Sequence, residues 1–178
     1  MRFKEIYSIP NILCYIRFLL IGWFLNCYFH EEYMQSAWII ALGGVTDFLD
    51  GQIARRCDMI TRLGKILDPL ADKAMQLSIA IALVCRYRLM ICLLILFIVK
   101  EAFQGICCIR AYRKGKKLDG ALWFGKIATA TFYILAVMLI AVVDLPLWLA
   151  DLGIVMVMIA LLFAFVMYGI TFYRMAHE

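Results

Sequence analysis

Apolar residues fill the chain in six long stretches, each closed by a short polar or charged break. The first runs over about 11–29 and stops at His30-Glu31-Glu32; the second covers about 33–56 and contains Gly43-Gly44. The third, about 63–85, is bounded by Arg86 and Arg88. The fourth, about 89–111, gives way to the basic run Arg113-Lys114-Gly115-Lys116-Lys117. The fifth spans about 121–143 before Asp144 and Pro146, and the sixth about 147–173. A membrane-crossing helix needs about 20 mostly apolar residues, so each stretch predicts one crossing. Residues 1–9, with Arg2, Lys4 and Glu5 leading to Pro10, predict a short segment lying in the membrane interface. Arg17 interrupts the first stretch and no small-residue cleavage site follows, so it reads as an uncleaved span rather than a signal peptide. The expected fold is an all-α integral membrane protein, with six transmembrane helices in one bundle and a single domain over 1–178.

Composition narrows the alternatives. The 178 residues are 66% hydrophobic, with a mean hydropathy of +0.89; soluble domains run to about 45–50% apolar. Only 17% are charged, which excludes disorder and binding to nucleic acid through basic tails. Seven cysteines form no CxxC pair and no Cys/His ligand spacing, so they read as reduced thiols packing as small hydrophobes.

Charge then orients the chain. Arg2, Lys4, Arg55, Arg56, Arg62, Lys65, Arg110, Arg113, Lys114, Lys116, Lys117 and Arg174 fall on one side of the predicted membrane, and only Arg86 and Arg88 on the other. Arg17, Lys73, Lys100 and Lys126 lie inside spans. Basic loops stay in the cytoplasm, so both termini are expected there, in the cell membrane. The net charge of +5 comes mostly from this asymmetry and needs no nucleic acid to explain it.

Acids occur where a membrane helix should not have them. Asp47, Asp50 and Ala54 are spaced i, i+3, i+7 on one face of the second helix, and Gly64, Asp68 and Asp72 are spaced i, i+4, i+8 on one face of the third. Asp47 lies about 20 Å along a helix starting near Met34, at 1.5 Å per residue, in the cytoplasmic third of a core about 30 Å thick. Asp68 and Asp72 reach a matching depth, roughly 6 and 12 Å from Gly64. Each buried charge costs at least about 2.5–3.5 kcal/mol on insertion scales, and four facing one another oppose ionisation. Protonation or bound cations would relieve this, with Arg55 and Lys73 neutralising a part. Carboxylates without His or Cys favour hard ions such as Mg²⁺, Mn²⁺ or Ca²⁺. Gly51 and Gly64 leave backbone open to a ligand, or to close helix packing. A di-metal site at the cytoplasmic boundary suggests a phosphate-bearing lipid substrate.

The sequence Asp47-x2-Asp50-Gly51-x2-Ala54-Arg55-x8-Gly64-x3-Asp68-x3-Asp72 resembles, at every fixed position and gap, the signature of the CDP-alcohol phosphatidyltransferase family. Pro10-Asn11 with Arg17, Asp68-Pro69-Leu70-Ala71-Asp72-Lys73, and Gly125-Lys126 with Thr129 are similar to the phosphatidylglycerophosphate synthase and cardiolipin synthase branch. The resemblance implies a six-helix bundle, usually homodimeric, that transfers a phosphatidyl group from CDP-diacylglycerol to an alcohol and releases CMP. It implies two divalent cations, Mg²⁺ or Mn²⁺, on Asp47, Asp50, Asp68 and Asp72. Asp72 would also be the general base, with Gly51, Ala54, Arg55 and Gly64 lining the CDP site. His30 and His177 both lie outside the motif, so histidine catalysis is not expected.

The acceptor region departs from the branch. Lys100-Glu101 stands where Arg-Glu is usual, Cys107 or Cys108 where a second Arg is usual, Ala128 for a lysine and Cys14 for a threonine. Arg62, Lys100, Arg110 and Lys126 remain as candidates for binding an anionic acceptor. Glycerol 3-phosphate, giving phosphatidylglycerophosphate, is the first expectation; phosphatidylglycerol, giving cardiolipin, is the second. A cation-coupled transporter is the alternative from another class. It would spread its acids through the bilayer depth, whereas these four cluster at one side.

Overall fold

The computed structural model describes residues 9–56, 64–113 and 122–177; within these, the side chains of 9–11, 47–56, 65, 66, 112, 113, 176 and 177 lie outside the description. Among the described residues the fold is all-helical: α1 Ile9–Phe29, α2 Tyr33–Arg56, α3 Gly64–Val84, α4 Met90–Arg113, α5 Trp123–Ala141 and α6 Leu147–His177. The expected interfacial segment falls almost wholly outside the described residues, as does the basic run after Arg113.

Four helices are long and apolar enough to cross a membrane, over Ile12–Phe29, Met90–Ala111, Trp123–Ala141 and Leu147–Met175. The other two, α2 and α3, are long enough but carry Asp47, Asp50, Arg55 and Arg56, and Lys65, Asp68, Asp72 and Lys73. The motif charges themselves set these two helices apart. Large apolar side chains such as Leu19, Trp38, Ile134 and Leu147 are exposed along the helices, a surface that suits lipid rather than water.

The chain divides into two compact units, residues 1–83 with 136–144, and residues 84–135 with 145–178. In the first, α1 and α2 form an antiparallel hairpin. Pro10 sits in the first turn of α1, where a missing N–H costs nothing. The helix ends where Glu31 takes φ 62°. The Glu32 N–H then donates to the Cys27 carbonyl at 2.9 Å and that of Glu31 to Tyr28 at 3.1 Å, a Schellman closure with glutamate in the position glycine usually holds. Glu32 next accepts from the Ser36 N–H at 3.0 Å, starting α2 within the same turn. Cys14, Arg17, Phe24 and Tyr28 of α1 are buried, as are Ser36, Ile40 and Gly43 of α2. In α3 the buried positions run Ala71, Met75, Ile79, Ala82, the spacing of one helical stripe.

In the second unit α4 packs on α6. Leu93, Phe97 and Lys100 on α4 are buried, as are Ile154, Val157, Leu161, Ala164, Tyr168 and Phe172 on α6, alternating by three and four. Phe103 and Phe165 meet edge-on at 5.0 Å between centroids. Phe124, Ala128 and Phe132 of α5 are buried at four-residue intervals, and Phe124 meets Tyr168 edge-on at 4.7 Å. The thiols are less uniformly internal than expected: Cys14 and Cys27 are buried, whereas Cys85, Cys92 and Cys108 are exposed. Apolar lipid accommodates a small thiol as readily as a core does.

Candidate active site

Asp68 and Asp72 lie one turn apart on α3, both half-buried. The Cys14 thiol of α1 donates to Asp68 Oδ1. Gln76, one turn further along α3 and 2% exposed, donates through Nε2 to both oxygens of Asp72 at 3.2 Å. A single amide nitrogen thus serves both oxygens of the Asp72 carboxylate. Gly64 is buried and opens the helix.

The end of the Met75 side chain of α3 lies against Gly43 of α2: a Cβ on Gly43 would stand 2.8 Å from the Met75 Cε. Gly43, Asp47 and Asp50 share one face of α2 by i, i+4, i+7 spacing, and Met75, Asp72 and Asp68 share one face of α3 by the same spacing run backwards. Moving from the contact toward the α2–α3 connection, Asp47 and Asp72 come about 6 and 4.5 Å along their helices, and Asp50 and Asp68 both about 10.5 Å. Counted from Gly43 and Met75, the helical positions of the four acids thus pair at similar heights along their two helices. The side chains of Asp47 and Asp50, with those of Ala54 and Arg55 and the neighbouring Gly51, lie outside the described ones; Arg62 lies outside the described residues altogether.

Among the described side chains no three His, Cys, Asp or Glu groups gather at one point, and those of Asp47 and Asp50 are not among the described ones. The donors they offer are carboxylate oxygens, the ligand type that Mg²⁺ and Mn²⁺ prefer.

The second unit holds a separate polar cluster. Lys100 is 5% exposed; its Nζ donates to Glu101 Oε1 at 2.6 Å and lies 5.4 Å from the Tyr168 ring centroid. Tyr168 is itself 2% exposed, with Phe124 edge-on at 4.7 Å. Gly125 fits against it so closely that a Cβ would stand 2.5 Å from the tyrosine hydroxyl. Arg110 and Lys126 are both exposed, and no described contact ties them to Lys100. Sequence reasoning missed Gln76 and Tyr168. Gln76 had a signal, a polar residue four beyond Asp72 in an apolar run. Tyr168 had none, since its neighbours come from α4 and α5.

A model of the CDP-alcohol phosphatidyltransferase family matches residues 7–172, and the chain belongs to that family. Among curated relatives, a CMP-forming cardiolipin synthase from Streptomyces coelicolor is 33% identical over 70% of this chain and 61% of its own length. Two proteins named CDP-diacylglycerol–glycerol-3-phosphate 3-phosphatidyltransferase are also similar. The one from Aquifex aeolicus is 42% identical over 37% of each chain. The one from Pseudomonas fluorescens is 40% identical over 43% of this chain and 40% of its own. The matches thus cover less than two thirds of each relative's length.

Proposed function

We propose that this chain transfers the phosphatidyl group of CDP-diacylglycerol to an alcohol. The acceptor oxygen bonds to the phosphatidyl phosphorus, the bond from that phosphorus to the bridging diphosphate oxygen breaks, and CMP leaves. What supports this reading is the family membership over residues 7–172, together with the helical spacing of the acids on α2 and α3 and the contact of Gly43 with the Met75 methyl. Asp72, braced by Gln76, takes the acceptor's proton. Two divalent cations, Mg²⁺ or Mn²⁺, held by Asp47, Asp50, Asp68 and Asp72, would neutralise the diphosphate and stabilise departing CMP. Gly51, Ala54, Arg55 and Gly64 line the CDP site in this reading, and Arg62, Lys100, Arg110 and Lys126 attend the acceptor.

Glycerol 3-phosphate is the first acceptor, in line with the names of the Aquifex and Pseudomonas relatives. One observation favours phosphatidylglycerol as the second reading: Glu101 already neutralises Lys100 at 2.6 Å, which suits a singly charged phosphodiester better than a phosphomonoester. All six helices cross the membrane, α2 and α3 included, because acids held by cations no longer oppose burial. A single domain is supported by the one family match over 7–172. Both termini and the site face the cytoplasm of the cell membrane, as the Lys/Arg asymmetry supports, and the chain acts as a homodimer in the bilayer. Mass analysis of the lipid formed from CDP-diacylglycerol with each acceptor tests this. Phosphatidylglycerophosphate is expected from glycerol 3-phosphate; no new phospholipid from any alcohol contradicts the reading and restores the transporter alternative.

A further inference from the structure

One contact within the first unit joins α1 to the acids of α3. Cys14 is fully buried, on the stripe of α1 that continues through Arg17 and Phe24, and its thiol donates to Asp68 Oδ1. Asp68 itself is half-buried, so the thiol lies inside while the residue it touches keeps exposed surface. Gln76 gives Asp72 a donor from within α3. Each acid of α3 thus has a buried donor on its carboxylate, and the donor to Asp68 comes from another helix. Cys14 and Asp68 both belong to the compact unit that contains residues 1–83.

The chemistry of a thiol limits what it does there. Sulfur is a soft ligand, and the hard ions that carboxylates hold, Mg²⁺ and Mn²⁺, favour oxygen over it. As a hydrogen-bond donor an S–H is weak and uncharged. It therefore leaves the negative charge of Asp68 for a cation, where a lysine or arginine would cancel it. What it supplies is direction, because a donor on one oxygen narrows the orientations of the carboxylate before an ion binds. Ligating carboxylates are commonly hydrogen-bonded in this way by groups that do not touch the ion. We propose that Cys14 is a positioning residue for Asp68, its thiol orienting the carboxylate for a divalent cation. This rests on the metal site of the transfer reading, and it couples metal affinity to a side chain of α1. A thiol that only fills space leaves metal affinity alone.

The test compares two variants of the full chain in detergent micelles. Cys14→Thr keeps a donor, and Cys14→Val has the same outline without one. Mn²⁺ affinity is read from the electron paramagnetic resonance signal of free Mn²⁺. CMP release from CDP-diacylglycerol, with glycerol 3-phosphate as acceptor, is followed against Mn²⁺ concentration. Cys14→Thr should bind Mn²⁺ as tightly as the native chain or more so. Cys14→Val should bind it about tenfold more weakly or worse, with turnover recovered at saturating Mn²⁺. Equal affinity of the two variants, or turnover lost without recovery, overturns the proposal and makes Cys14 a packing residue. A cobalt–sulfur charge-transfer band in the Co²⁺-loaded native chain that Cys14→Ser lacks overturns it too, since the sulfur is then a ligand. If Cys14→Val does not fold, Cys14→Ala and Cys14→Ser make the same comparison, again one hydroxyl apart. Equal affinities sink this inference alone, whereas no Mn²⁺ binding by the native chain sinks the two-cation reading and this proposal with it. Mn²⁺ binding without CMP release contradicts the transfer reading, and the affinity comparison still decides the role of Cys14.

Discussion

Asp72 is the residue on which the proposed chemistry turns, and its setting explains why a carboxylate suits the task. Gln76 presents one amide nitrogen to both carboxylate oxygens at 3.2 Å, so the group has a hydrogen-bond donor at its end before any acceptor arrives. Asp72→Asn keeps the shape and removes the base. Turnover should fall at least about a hundredfold, with the melting temperature in detergent unchanged; near-native CMP release would remove Asp72 from that role. Gln76→Leu keeps the base and removes its brace. Activity or Mg²⁺ affinity should drop about 10- to 100-fold, read from the Mg²⁺ dependence of initial rates, and an unchanged dependence would make Gln76 a packing residue. The spacing of the acids, i, i+3 on α2 and i, i+4 on α3, was legible in the sequence, and the helices that carry it are where it predicts them. Gln76 continues that same ladder. The Cys14 contact to Asp68 was not legible, since it joins residues far apart in the chain.

Between elements, glycines decide how closely helices approach. Gly43 admits the end of the Met75 side chain, whose Cε would stand 2.8 Å from a Cβ there. Gly125 admits the Tyr168 hydroxyl, and a Cβ there would also stand 3.3 Å from two ring carbons. Tyr168 has little room to retreat, with Phe124 edge-on and Phe172 stacked at 6.3 Å. Gly125→Ala should therefore destabilise the protein by about 1–3 kcal/mol, and adding Tyr168→Phe, which removes the nearest atom, should recover part of that loss. Thermal melting of the two single variants and the double variant checks this; additive losses would contradict it. Hydrophobic runs gave the helices to within a few residues, as α2 over Tyr33–Arg56 illustrates. The turn at Glu31 was hidden, because glutamate is not a residue that announces a left-handed conformation. The Lys100–Tyr168 contact was hidden too, since α6 is apolar over most of its length and a tyrosine within it carries no periodic signal.

At the scale of the whole molecule, four helices qualify as spans by length and composition, and the two that do not are the bearers of the motif. The charge asymmetry of the loops and the family match over 7–172 both belong to this scale, and neither needs a side-chain contact to be read. The acceptor belongs to a finer one: it depends on which cations are neutralised, as Lys100 is by Glu101, and sequence does not show which side chains pair. The most direct measurement of the central claim is CMP release from CDP-diacylglycerol by the purified full chain, with and without an alcohol acceptor, before and after EDTA. The account predicts release that requires the acceptor, stops with EDTA and returns with Mg²⁺ or Mn²⁺. Release that ignores the acceptor, or full activity without divalent ions, would contradict it.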